Sequence, residues 1–187
     1  MNPESELTGI LLAGGASRRF GQDKLLHCMP GGTPMALASA HALKAALPRI
    51  FAVVRQDNKP LIDLFAANNI EIVIAGQARK GMGASLAAGV AAAAEASGWL
   101  IALADMPFIR PQTIAGVADA LCRGAPIAAP SYQGQRGHPV GFSKRFSSKL
   151  CQLHGDEGAR RILQNYAAEL VLVDCNDPGI LMDIDQR

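Results

Sequence analysis

Close to the start of the chain, glycines and cations recur at intervals suited to holding a phosphate. Gly14 and Gly15 are followed by Ala16 and Ser17, then by Arg18, Arg19, Gly21, Asp23 and Lys24. Glycines let backbone N–H groups approach an anion closely, and arginine or lysine neutralises its charge. The apolar run Ile10, Leu11, Leu12, Ala13 leads directly into this segment, so it reads as a strand delivering a phosphate-gripping loop. The spacing is not that of a Walker A loop, because Leu25 stands after Lys24 where a hydroxyl is required. It is not G-x-G-x-x-G either, and the second apolar run ends at Arg55 rather than at an acidic residue that could bind a ribose hydroxyl. A nicotinamide or flavin fingerprint is therefore unsupported, and the expected ligand is a small polyphosphate such as a nucleoside triphosphate.

A second chemical signal is Asp105, which directly follows the apolar run 99–104. A carboxylate there is costly unless it sits ionised and coordinated at the rim of a sheet; its structural alternative is an N-cap ahead of a short turn. A second glycine-containing loop, 76–83, precedes an alanine-rich stretch, and its glycines could equally provide close packing. His27 and Cys28 are neighbours, but adjacent side chains diverge and no third ligand is in view. The cysteines at 28, 122, 151 and 175 form no C-x-x-C pair, which removes zinc-finger spacing and points to reduced thiols.

Composition narrows the partners. With 187 residues, 49% hydrophobic and 18% charged, the chain reads as one globular domain, 1–187, able to bury a full core. Only 5% aromatic residues and a formal net charge of +2 leave no stacking platform or basic face for nucleic acid. The alanine-rich stretch 84–96 is interrupted by Gly89 and Glu95, which suits a packed helix better than a membrane span. The opening MNPESELTG carries two glutamates and no apolar h-region, so it does not read as a signal peptide, and a cytoplasmic location is expected.

The elements that must position these residues alternate. Apolar runs at 7–13, 50–54, 70–75, 99–104, 126–130 and 169–174 read as strands, near-continuous in apolar character as buried parallel strands are. Helices are expected at 34–47 behind a Thr33 N-cap, at 59–68, 84–97, 111–121, 143–154 and 157–167. Residues 132–138 read as a hairpin tip returning through 139–142, and 180–184 as a last apolar piece. The pattern predicts a Rossmann-like three-layer α/β/α sandwich with a mostly parallel sheet and an antiparallel hairpin element. Ligands then sit beyond the carboxyl ends of the strands, where the loops after the first, third and fourth strands converge.

LAGGASRRFGQDKLL (12–26) resembles the signature L-A-x-G-x-S-x-R-x-G-x-x-K of the nucleotidyltransferases that activate molybdenum cofactor, sugars and isoprenoid alcohols. The likeness is closest to the MobA-like branch, and within it to molybdenum cofactor cytidylyltransferases. GMGASLAAGV (81–90) is similar to that branch's second nucleotide loop, and LIALADMPFIRPQTI (100–114) to its metal-aspartate motif. RGHPVGF (136–142), GDEGARRIL (155–163) and MDID (182–185) are similar to its pterin-side region and terminal carboxylates.

The resemblance implies roles. Lys24 and Arg19, with Arg18 beside them, would hold the triphosphate. Leu12, Ala13, Gly14, Gly15, Gly21, Gly81 and Ser85 would line the nucleotide site. Asp105 would bind Mg2+, with Asp185 as second ligand and Asp183 competing for that place. His138 and Arg136 would face the pterin, with Asp156 and Glu157 weaker candidates. The implied reaction is attack by a terminal phosphate of a phosphorylated pterin acceptor on the α-phosphorus of a nucleoside triphosphate, releasing pyrophosphate. CTP is favoured over GTP, although Ala13-Gly14-Gly15 reads as in the guanylyl relatives. A sugar or isoprenoid cytidylyltransferase, or a non-catalytic accessory protein delivering the cofactor to a molybdoenzyme, are the alternatives.

Overall fold

The computed structural model describes residues 6–14, 23–76, 81–156 and 158–184. In chain order it contains β1 (Leu7–Leu12), α1 (Met35–Ala46), β2 (Arg49–Val54), α2 (Lys59–Ala67), β3 (Glu71–Ile74), α3 (Met82–Ala92) and β4 (Gly98–Leu103). Next come α4 (Pro111–Cys122), β5 (Ile127–Tyr132), β6 (Gln135–Arg136), β7 (Val140–Ser143), α5 (Ser147–Cys151), α6 (Arg160–Asn165) and β8 (Leu170–Asp174).

The strands form one eight-stranded sheet in the order β3-β2-β1-β4-β7-β5, with β8 and β6 both paired to β5. β3, β2, β1 and β4 are parallel neighbours, as are β5 and β8. β7 runs antiparallel between β4 and β5. β8 occupies one edge of β5 as far as Ser131, so β6, which pairs with Ser131 antiparallel, lies on the β7 side. The expected hairpin is thus present as β5–β6, and it returns through β7 into the middle of the sheet.

Alternation along the strands produces the three layers. Leu11 and Ala13 of the β1 segment, Ala52 and Val54 of β2, and Leu100 and Ala102 of β4 join the core under α1, α2 and α4. Their neighbours Ile10, Leu12, Phe51, Val53, Trp99 and Ile101 join the core under α3, α5 and α6. Because both faces are covered, each central strand is apolar on successive residues. Trp99 is fully buried and donates its indole N–H to the Ala93 carbonyl at 3.0 Å, which ties the end of α3 to β4.

Several boundaries differ from the sequence expectation: the helix expected at 157–167 is α6, Arg160–Asn165, followed by a 3-10 turn at Ala167–Glu169, and three others differ for local reasons. Pro34, not Thr33, occupies the N-cap of α1, and Thr33 instead accepts a backbone bond from Met29. α3 starts at Met82 and stops at Ala92; the next carbonyl, of Ala93, is taken by the Trp99 indole and the Ala96 N–H rather than by a continuing helix. The stretch expected as one helix from 143 is a 3-10 turn, Lys144–Phe146, followed by the short α5. Lys144 N–H is drawn to the Ser97 carbonyl and Ser143 stays in β7. Among the described residues, no helix is long and apolar enough to cross a membrane.

Candidate active site

Strand order reverses between β1 and β4: the chain moves outward from β1 through β2 to β3, then returns to place β4 on the other side of β1. In open α/β sheets, the crevice at the carboxyl ends of two such strands is where ligands bind. Register puts Leu12 opposite Leu103, and the Ala104 N–H donates to the Leu12 carbonyl at 3.1 Å. Ala13 is buried and bonded to Val53, and Gly14 beyond it is half-buried. The segments leading to Lys24 and Asp105 therefore leave the sheet side by side.

Lys24 opens a 3-10 turn, Lys24–Leu26, whose N-cap Asp23 accepts the Leu25 N–H at 3.0 Å. Leu25 is buried and fixes the turn to the core beneath it. The Asp23 carboxylate also takes a close hydrogen bond from the Asn58 side-chain amide. Asn58 in turn caps α2 by accepting the Leu61 N–H. This frame aims Lys24 along the rim, where its Nζ donates to Asp105 Oδ2 at 2.8 Å. Both side chains remain partly open, 19% and 25% exposed, so the pair is anchored yet reachable from solvent.

Asp105 is held by its backbone as well. Ser39, buried in α1, donates its hydroxyl to the Ala104 carbonyl at 3.0 Å. On the outer side, the Ile184 N–H donates to the Asp105 carbonyl at 3.0 Å, and Lys24 Nζ lies 3.4 Å from the Ile184 carbonyl. Three remote parts of the chain thus meet at one point: the segment after β1, the end of β4 and residues 183–184.

His138 stands at the start of β7, after exposed Arg136 and buried Gly137, and its peptide bond to Pro139 is cis. Its Nδ1 is buried without a hydrogen-bond partner among the described residues. Burial holds the imidazole below its usual pKa and the Arg136 charge pushes the same way. Asp105, a bond to the Ile101 backbone and Asp183 oppose this. His138 therefore shares the electrostatic environment of Asp105 and is biased towards its neutral form.

The second glycine loop ends at Gly81, the N-cap of α3, with φ 105° and ψ 177°. This conformation is nearly restricted to glycine. A Cβ there would collide with the Gly155 backbone and the Asp156 carboxylate, and the Gly83 N–H donates to the Gly155 carbonyl at 2.8 Å. The 81–83 and 155–156 motifs, far apart in sequence, are packed against each other at the start of α3. Ser85 is buried one turn further along. Gly15, Arg18, Arg19, Gly21, Glu157 and Asp185 lie outside the described residues.

Beside Lys24, a cleft of about 650 Å³ is walled by Asp23, His27, Cys28 and Asn58, a volume typical of small-molecule sites. His27 and Cys28 both line it, but among the described residues no group of three or more metal-capable side chains gathers. Ser39 and Asn58 were not legible as site residues. Asn58 had a usable signal, an N-cap residue two positions before Pro60; Ser39 had none, being a lone hydroxyl in an alanine-rich helix.

The chain is similar to known proteins along nearly its whole length. The chain is 34% identical to the "Purine catabolism protein PucB" of Bacillus subtilis (strain 168), over 96% of this chain and 91% of that one. It is 28% identical to the "Nicotine blue oxidoreductase" of Paenarthrobacter nicotinovorans, over 96% and 92%. Among solved structures, Rv0371c of Mycobacterium tuberculosis H37Rv superposes with a TM-score of 0.82 at 25% identity, covering 97% of this chain and 93% of that one. The complex of Rv0371c with manganese superposes at 0.78 and 23% identity, covering 97% and 94%. The MobA-like NTP transferase domain matches residues 9–170, and with that match and the PucB identity along nearly the whole length, the chain belongs to this family.

Proposed function

We propose that the protein transfers a nucleoside monophosphate, CMP in preference to GMP, from its triphosphate to the terminal phosphate of molybdopterin or molybdenum cofactor. Pyrophosphate is the second product. The observation that carries this reading is the Lys24–Asp105 pair at the carboxyl ends of β1 and β4, in the strand-order switch of a chain whose family is that of NTP transferases.

The acceptor phosphate is ionised at neutral pH, so its attack on the α-phosphorus needs no general base. Catalysis comes from positioning and from neutralising charge on the departing pyrophosphate. Lys24, fixed by its turn and by Leu25, supplies one positive charge; Arg19, with Arg18, supplies the others from the preceding loop. Asp105 already receives a cationic group on Oδ2 at 2.8 Å, so its oxygen chemistry and its position at the rim fit a hard divalent cation. Mg2+ would be held by Asp105 and Asp185, and completed by phosphate oxygens and water, as suits its preference for few protein ligands. Bound there, it supplies Lewis-acid stabilisation of phosphate charge. The structural neighbour Rv0371c is known in complex with manganese, a divalent ion.

Leu12, Ala13 and the glycines Gly14, Gly15 and Gly21 line the triphosphate. Gly81 and Ser85 serve the base and ribose. His138, whose Nδ1 is buried without a hydrogen-bond partner among the described residues, and Arg136 face the pterin. The finished dinucleotide cofactor passes to a molybdoenzyme, and the chain works in the cytoplasm as one domain. A pyrophosphate-release assay with molybdopterin and each of CTP, GTP, ATP and UTP tests the assignment. Release with CTP above the others supports it; a GTP preference transfers the reading to guanylyl transfer. Pterin binding without release from any nucleotide supports an accessory carrier instead.

A further inference from the structure

Asp177 is only 2% exposed and has no part in the site described above. Its Oδ2 accepts the backbone N–H of Arg110 at 2.9 Å and the Thr113 hydroxyl at 2.7 Å, while Oδ1 accepts the Gly179 N–H at 3.1 Å. The Arg110 guanidinium adds a cation at 4.0 Å from Oδ1 and donates to the Asn176 carbonyl at 3.1 Å. Arg110 is the N-cap of α4, which has no side-chain cap of its own. A carboxylate from another part of the chain thus caps this helix, where the helix dipole favours negative charge.

Beyond Asp177 the chain crosses the rim. The 3-10 turn Pro178–Leu181 buries Ile180 completely in the core. Gly179 lies so close to the Phe108 carbonyl that a Cβ would collide with it, and Gly137 is equally tight against Ile180. The His138 N–H donates to the Ile180 carbonyl at 3.1 Å, and the Ile184 N–H to the Asp105 carbonyl at 3.0 Å. Residues 178–184 therefore run between the Asp105–Arg110 loop and the Gly137–His138 turn, ending where Lys24 Nζ meets the Ile184 carbonyl.

We propose that Asp177 is a positioning residue: its buried carboxylate fastens residues 178–184 as a strap across the rim, and the strap holds Asp105 and Lys24 in register for a divalent cation. The metal part rests on the nucleotidyl-transfer reading; the fastening does not. Replacing the carboxylate by an amide removes its charge and turns one acceptor oxygen into a donor, so the partly buried Arg110 N–H and the buried Thr113 hydroxyl and Gly179 N–H can no longer all be satisfied. The strap loosens at its root while the sheet beneath keeps both cores.

The test uses the full chain with Asp177→Asn, and with Thr113→Val as a milder variant that keeps the carboxylate. Amide hydrogen exchange at His138 and Ile184 reads the strap directly, and Mn2+ titration without nucleotide, followed by electron paramagnetic resonance, reads the cation site. In Asp177→Asn both amides exchange faster by on the order of tenfold, and Mn2+ affinity falls ~10-fold, as for other residues that orient a metal ligand. Thr113→Val shifts both in the same direction by less. Unchanged exchange at both amides would overturn the strap, and faster exchange with unchanged Mn2+ affinity would overturn its link to the cation. Wild-type protein that bound no Mn2+ even with CTP present would sink the nucleotidyl-transfer reading, leaving the fastening to be decided by exchange alone.

Discussion

Lys24 Nζ and Asp105 Oδ2 are 2.8 Å apart although 81 positions separate them in the chain. Their meeting is a consequence of register: Leu12 lies opposite Leu103, so whatever leaves β1 and β4 at the same rim leaves together. An ammonium and a carboxylate in contact here can exchange partners. In the proposed reaction a cation would take Asp105 and leave Lys24 within reach of the triphosphate charge.

Chelation tests the cation half of that exchange. EDTA is expected to abolish pyrophosphate release, and excess Mg2+ or Mn2+ to restore it. The fold should survive, since Lys24 satisfies Asp105 without a metal. A melting temperature unchanged by EDTA alongside lost turnover is the expected result; full turnover in EDTA contradicts it.

His138 gives a pH dependence with a defined sign. Burial, followed by the Arg136 charge, lowers its pKa in the folded chain, below the unfolded value of about 6.5. The unfolded chain then binds more protons in the interval between the two, so stability falls as pH drops from about 6.5 through the folded pKa, and levels off below it. Denaturation midpoints between pH 7.5 and 5, measured in EDTA, should fall less steeply in His138→Gln than in wild type. Parallel curves would show that this imidazole does not contribute.

Gly81→Ala places a methyl against the Gly155 backbone and the Asp156 carboxylate in a conformation almost closed to other residues. Backbone strain of this kind costs ~1–3 kcal/mol, before the start of α3 shifts to relieve the collision. Urea titration should show a loss at least that large, with a raised KM for the nucleotide. Wild-type stability would mean that the two motifs are not packed together.

Ser39→Ala removes the hydrogen bond to the Ala104 carbonyl. Such a neutral bond contributes about 0.5–1.5 kcal/mol, partly offset by the better helix propensity of alanine. A small loss of stability with a larger fall in kcat is expected, because the bond sits one residue before Asp105. Equal stability and kcat would remove Ser39 from the frame.

The sheet was legible because β1, β2 and β4 are apolar on successive residues, and only a strand covered on both faces reads so. That Lys24 and Asp105 would share a rim followed from their places after two parallel strands. The strap did not, because Asp177-Pro178-Gly179 reads locally as an ordinary turn, and its carboxylate finds Arg110 and Thr113 only in the folded chain. Likewise, nothing local in the 81–83 or 155–156 motif shows that each closes on the other. Gly15, Arg18, Arg19, Gly21 and Asp185, prominent in the sequence, lie outside the described residues, so their roles rest on resemblance.

If Lys24 and Asp105 together carry the proposed nucleotidyl transfer, pyrophosphate release by Lys24→Ala and Asp105→Ala will report it. With CTP, Mg2+ and molybdopterin, each variant should lose ~10²–10³ in rate, as when a single preorganised charge contact is removed, while melting as a folded protein. Wild-type turnover in either variant would contradict the assignment.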